Sequence, residues 1–135
     1  MSFDPKKWFM SSTPYAWMER LDLALREISE VVPEGMSFIL VDGDEWGGSP
    51  TTQVVTGRRA IPFTERQGAY FGPPSGDKEA IVEVARQRNL GAKYMVFAWS
   101  AFWWLEHYRG LATYLRSNHP CRLENERLVI FELSA

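Results

Sequence analysis

Apolar residues along this chain fall either at helical spacing or in short runs, and the change from one to the other marks out its elements. Trp17, Leu21, Leu25, Ile28 and Val32 recur at helical spacing, with Glu19, Arg20, Arg26, Glu27 and Glu30 on the other side. Thr13 as N-cap and Pro14 at the first helical position start this helix, and Pro33 and Gly35 end it. Met36 to Val41 is a short apolar run directly after it, as expected of a buried strand. Val54-Val55 and Ala60-Ile61 are candidate extended segments split by a turn at Gly57, with Pro62 either keeping its strand at a sheet edge or ending it.

The segment "RQGAYFGPPSGDKEAI" reads as irregular until Asp77, which is placed to cap a helix through Asn89 with Ala80, Ile81, Val84 and Ala85 facing inward. Gly91 supplies a left-handed stop. "AKYMVFAW" reads as a second buried strand and "SAFWWLEHYRG" as the start of another helix. "CRLENERLVIFEL" reads as a closing hairpin turning at Asn125 and Glu126. Strands alternating with helices predict an α/β fold, a Rossmann-like three-layer sandwich with a mixed, mostly parallel sheet and a C-terminal β-hairpin. The helix from Asp77 to Asn89 serves as a right-handed crossover between parallel strands. Residues 1–12, with Trp8-Phe9-Met10, form an N-terminal strap outside a single domain over 13–135. Its apolar cluster either packs on the core or docks a partner.

The "WW" of the aromatic run cannot be wholly core, because adjacent helical residues point about 100° apart. On one continuous helix Trp104, Leu105, Tyr108, Leu111, Ala112 and Leu115 make the buried stripe. Trp103, His107 and Tyr114 fall on its flank, and Phe102 falls opposite. Phe102 and Trp103 are thus large rings that the core does not claim.

Composition narrows the function. The chain has 135 residues, enough for one sizeable core, and its net charge of −2 comes without a clustered basic surface, which argues against nucleic-acid binding. The densest basic spot, Arg58-Arg59, reads as a solvated turn. Cys121 is the only cysteine, so an internal disulfide and a cysteine zinc site are excluded, and beside Pro120 it reads as a buried, inert thiol. No apolar run approaches the roughly 20 residues of a membrane span. "MSFDPKKWFM" lacks a secretory apolar region, so a cytoplasmic location is expected.

In open α/β sheets, ligands sit beyond the carboxyl ends of parallel strands. Two such ends, "VDGDEWGG" and "VFAWSAFWW", place Asp42, Asp44, Trp46, Ser100, Phe102, Trp103 and His107 around one crevice if their strands are neighbours. Asp42 and Asp44 are spaced to share a divalent cation, yet the twelfth position from Asp42 is Gln53 rather than the glutamate of a calcium loop. A capping or turn-forming role for Asp42 at the strand end is the better account. The glycines form neither dinucleotide nor triphosphate fingerprint, so no cofactor is expected, Ser100 is in no nucleophile elbow, and with only His107 and His119 no metal is expected. His107, four residues after Trp103, is either a ligand-contacting or acid–base group or a donor to a loop carbonyl.

"GAKYMVFAWSAFWWLEHYRGLATYLRSN", followed by "VIFEL", resembles a recurring bacterial domain. There a "GA-[apolar strand]-WWL-x-HY" block precedes a helix and an "IFDL"-like strand. "ILVDGDE", "IPFTERQGAYFGPP" and "EAIVEVARQRNLGA" are similar to its earlier segments, so the resemblance spans roughly residues 30–135. Such domains occur attached to or near glycosyltransferases of surface-polysaccharide synthesis, which implies a glycan context but no defined activity. Three readings follow. The first is a non-catalytic module binding a sugar, a nucleotide-sugar or a protein partner. The second is a small-substrate transferase or hydrolase using Asp42 or Asp44 with His107. The third is a homo-oligomeric structural subunit exchanging the N-terminal strap.

Overall fold

A computed structural model describes residues 14–43, 46 and 57–133. The strap, Val54-Val55, Asp44 and the greater part of the loop after Asp42 lie outside the described residues. The elements run α1 (Pro14–Val31), β1 (Ser37–Val41), β2 (Arg59–Pro62), β3 (Glu65–Arg66), β4 (Ala69–Tyr70) and α2 (Asp77–Asn89). They continue with β5 (Ala92–Ala98), a 3₁₀ turn (Trp99–Ala101), α3 (Trp103–His107), α4 (Arg109–Asn118), β6 (Cys121–Glu124) and β7 (Leu128–Glu132).

Five strands form one mixed sheet in the order β2-β1-β5-β7-β6. β1 pairs in parallel with both β2 and β5. β7 is antiparallel to β5 and to β6, and a short turn at Asn125 joins β6 to β7. Side chains alternate across this sheet, so each inner strand feeds two cores. Ile39, Val41, Met95, Phe97, Val129 and Phe131 face one side, where Ala80, Val84, Trp104, Leu111 and Leu115 cover them. Phe38, Leu40, Val96, Leu128 and Ile130 face the other, under Ala24, Leu25 and Ile28 of α1 and Val32 just beyond it. Burial on both faces explains why β1 and, after Lys93, β5 read as apolar runs.

Several expectations change in three dimensions. Trp17 is 37% exposed instead of closing the α1 stripe, and its ring meets Trp99 edge-on, centroids 6.3 Å apart. Arg58 is no solvated turn residue. Its Nε donates to the Val32 carbonyl at 2.8 Å and its Nη2 to that of Ser29 at 3.1 Å, which caps the last carbonyls of α1 with a cation. Cys121 is exposed, because β6 is an edge strand whose Cys121, Arg122 and Glu124 all reach solvent. Partial desolvation and Glu124 nevertheless hold its thiol above its ordinary pKa.

Asp77 begins α2 without capping it: Gly76 is the N-cap, and no side chain caps that end. Its carboxylate instead accepts the Leu111 amide at 3.1 Å, three residues into α4, and so caps a different helix. Gly110 makes this approach feasible, since a Cβ there would stand 2.8 Å from Asp77 Cγ and 2.9 Å from its Cβ. Alanine ordinarily favours a helix over glycine by about 1 kcal/mol. The clash involves atoms close to the Asp77 backbone, so Gly110→Ala is expected to destabilise by about 1–3 kcal/mol. In an Asp77→Gly background, which removes both of those atoms, the same substitution should lose that cost. Urea unfolding of the four variants checks this, and a Gly110→Ala protein more stable than wild type would refute it.

The aromatic run is not one helix. A 3₁₀ turn opens it, and Tyr108 (φ −101°, ψ 71°) separates α3 from α4. The tighter turn re-aims Phe102, which is half-buried against the core rather than opposite it. Trp104, Tyr108, Leu111 and Leu115 are buried as the spacing predicts, whereas Leu105 and Ala112 are only partly so.

Candidate functional site

β1 and β5 are adjacent and parallel, with Val41 opposite Phe97, so their carboxyl ends do open side by side. Asp42 is buried there. Its Oδ2 accepts the Trp46 amide at 2.9 Å, and Ser100 Oγ donates to its carbonyl at 3.2 Å. These bonds fold the chain back after β1 and tie it to the end of β5. Trp46, also buried, lies 5.6 Å from Trp99, and the Arg20 guanidinium stands 5.4 Å over the Trp99 ring. Trp17, Arg20, Trp46 and Trp99 therefore make an aromatic seam between α1 and the strand ends. Trp46 Nε1 is buried with no hydrogen-bond partner among the described residues.

Trp103 and His107 form a second group on the opposite core. Trp103 is 48% exposed, yet it touches three rings: Trp104 at 5.5 Å, His107 at 5.8 Å and Tyr108 at 6.4 Å between centroids. His107 stands edge-on to Tyr108 at 4.7 Å. Tyr108 is itself anchored, its hydroxyl donating to the Pro74 carbonyl at 2.6 Å. Burial, and secondarily Asp77, raise its pKa, so it remains a neutral donor. The crevice residues thus fall into two sets: Asp42, Trp46 and Ser100 toward α1, and Trp103 and His107 on α3, with Phe102 packed between helix and core. Asp44 lies outside the described residues.

A polar assembly on α2 was not foreseen. Glu83 and Gln87 are buried on the inner face with Ala80 and Val84. Glu83 accepts the Glu65 amide at 2.9 Å, Gln87 Nε2 at 2.9 Å and Arg86 Nε at 2.8 Å. Arg86 also reaches Glu65 Oε1 at 2.6 Å, and Gln87 Nε2 donates to the Pro62 carbonyl at 3.1 Å. Burial pushes the Glu83 carboxyl up. Arg86, the Glu65 amide and Gln87 outweigh that and hold it at about 2. The assembly clamps the β3–β4 hairpin, which turns through Gln67 (φ 55°) and Gly68 (φ 82°), onto α2. The available signal was the set Ala80, Glu83, Val84 and Gln87, spaced i, i+3, i+4, i+7 with two polar members.

Between this hairpin and the first half of α2 lies a cleft of about 540 Å³. Its mouth carries Phe71 and Val82, 65% and 61% exposed. Elsewhere, His119 is buried against Tyr114 at 5.6 Å, with neither ring nitrogen hydrogen-bonded among the described residues. Burial, with Arg88 adding, depresses its pKa and favours the neutral ring. Among the described residues no cluster of three metal-ligating side chains occurs, and no helix is long and apolar enough to cross a membrane. The architecture defines a mixed α/β protein with helices on both sheet faces. No protein family, curated protein or solved structure matches the chain.

Proposed function

We propose that this protein is a non-catalytic, Rossmann-like binding module that presents Trp103 and His107 to a sugar or nucleotide-sugar in the context of bacterial glycan assembly. One observation carries the reading: Trp103 is a half-exposed indole held in place by three neighbouring rings. An indole exposed to this extent leaves much apolar area in water. Its fixed orientation lowers the ordering cost of stacking a flat or sugar face on it. His107, at the ring's edge, supplies a hydrogen-bonding group to the rim of such a ligand. The resemblance of the WWL-x-HY block supports the glycan context.

The test is a calorimetric titration with free sugars and nucleotide-sugars. One of them is expected to bind wild type, and Trp103→Ala should weaken it by at least about tenfold, the loss of roughly 1.4 kcal/mol of stacking. Trp103→Phe, retaining a flat ring, should recover part of the affinity. Absence of binding across the panel, or equal binding by Trp103→Ala, would remove this site.

A further inference from the structure

The geometry points to a second binding site, in the cleft between the β3–β4 hairpin and α2, for a small aromatic carboxylate. The cleft's volume of about 540 Å³ lies within the roughly 300–1,000 Å³ of small-molecule pockets. Its hydrogen-bonding inventory is one-sided. Glu83 and Glu65, the acids beneath its floor, have both oxygens occupied by Arg86, Gln87 and backbone amides. Arg86 spends its Nε and Nη2 on the same bonds. The remaining cations keep donors to spare. Arg66 uses Nη1 on the Glu65 carbonyl and stands 3.6 Å from Glu83, but its Nε and Nη2 have no hydrogen-bond partner among the described residues. Lys78 makes no ion pair among them. The one lining acid outside the clamp, Glu79, turns Oε2 back to the Ser75 amide at 3.4 Å. A ligand that brings acceptors suits the spare donors of Arg66 and Lys78, and a carboxylate matches the forked guanidinium edge.

The rest of the ligand is specified by the apolar walls. The Arg66 guanidinium lies 5.0 Å over the Phe71 ring, so the fork and an aromatic face are presented side by side. Pro73 and Val82 line the same cleft, and Phe71 and Val82 are among the most exposed apolar side chains described. A flat apolar body laid across them with its carboxylate at Arg66 and Lys78 covers that exposed surface and satisfies those donors together. This site is separate from the Trp103 surface, and neither depends on the other.

The experiment is a residue-resolved amide NMR titration with 2-naphthoate and, in parallel, uncharged 2-naphthamide, which has the same body. Naphthoate is expected to shift the amides of Arg66, Phe71, Lys78 and Val82 and to bind at least about tenfold more tightly than the amide. Arg66→Gln should abolish that preference while leaving naphthamide binding unchanged. Arg66→Lys, keeping charge without the fork, should restore only part of it. Phe71→Ala should weaken both compounds alike. Arg66 is largely exposed, and Lys78→Gln provides an independent loss of acid preference should Arg66→Gln disturb the hairpin. Equal affinity for acid and amide, shifts centred on Trp103 instead of the cleft, or an unchanged preference in both Arg66→Gln and Lys78→Gln would overturn the assignment.

Discussion

Trp104→Ala is expected to lower the free energy of unfolding by about 3–5 kcal/mol, whereas Trp103→Ala should cost no more than about 1 kcal/mol. The two residues are neighbours in sequence and share a ring contact at 5.5 Å, but only Trp104 is fully enclosed, against Phe63 at 5.8 Å and Tyr108 at 5.3 Å. Truncating it removes an indole from water-free packing among Ala80, Val84 and Leu111 and leaves a cavity that the sheet on one side and α2 on the other hinder from closing. Trp103 has water over about half of its surface already, so its loss opens no cavity. Urea unfolding followed by circular dichroism separates the two cases without relying on the altered fluorescence. Equal losses in the two variants would contradict this assignment of core and surface ring.

Removal of the buried carboxylate by Glu83→Ala is expected to cost about 2–4 kcal/mol at neutral pH. The loss leaves the Glu65 amide and Gln87 amide group short of an acceptor, while Arg86, partly exposed, retains Glu65 and water. That escape places the cost below that of breaking a fully enclosed pair. The pH dependence has a definite sign. The folded-state pKa of Glu83 is depressed to about 2, below the ordinary glutamate value of about 4.3. Its contribution is then fully present above the unfolded-state value and is lost as pH falls through the folded-state value. The stability gap between wild type and Glu83→Ala should accordingly narrow from about pH 4.5 downward and be smallest near pH 2. Unfolding titrations at several pH values measure it directly. A gap that stays constant across that interval would show that the charge of Glu83 does not contribute.

The helices and inner strands were legible because their burial follows simple periods. β1 and β5 are covered on both faces and read as apolar runs, and α1 shows its inner face through Ala24, Leu25 and Ile28. What was misread lies where a tertiary partner replaces a local one. Asp77 has the composition of an N-cap and serves as one, but for α4, because the two helices pack together at Gly110. Arg58 looked solvated because its acceptors, the carbonyls of Ser29 and Val32, lie 29 and 26 residues away. The β3–β4 hairpin is too short to show a period of two, and it is held by Glu83 and Arg86 from another element. Its cleft was illegible for the same reason.

At the strand ends the two apolar runs marked out β1 and β5 as strands, and the sheet decided that they are parallel neighbours. It decided the division of the aromatic residues as well. Whether Trp103 and His107 join Trp46 or stand apart depends on the 3₁₀ turn after β5 and on the break at Tyr108, which a single hydrogen bond to Pro74 stabilises. The sequence by itself determined the alternation of helix and strand, the apolar faces and the inward role of Trp104, since these rest on local periodicity and on burial of apolar area. Only the tertiary structure decided which polar side chains are enclosed, which helix each cap serves and where a cleft opens. Hydrogen bonds and charge pairs depend on distances between segments far apart in the chain, and no local pattern encodes them.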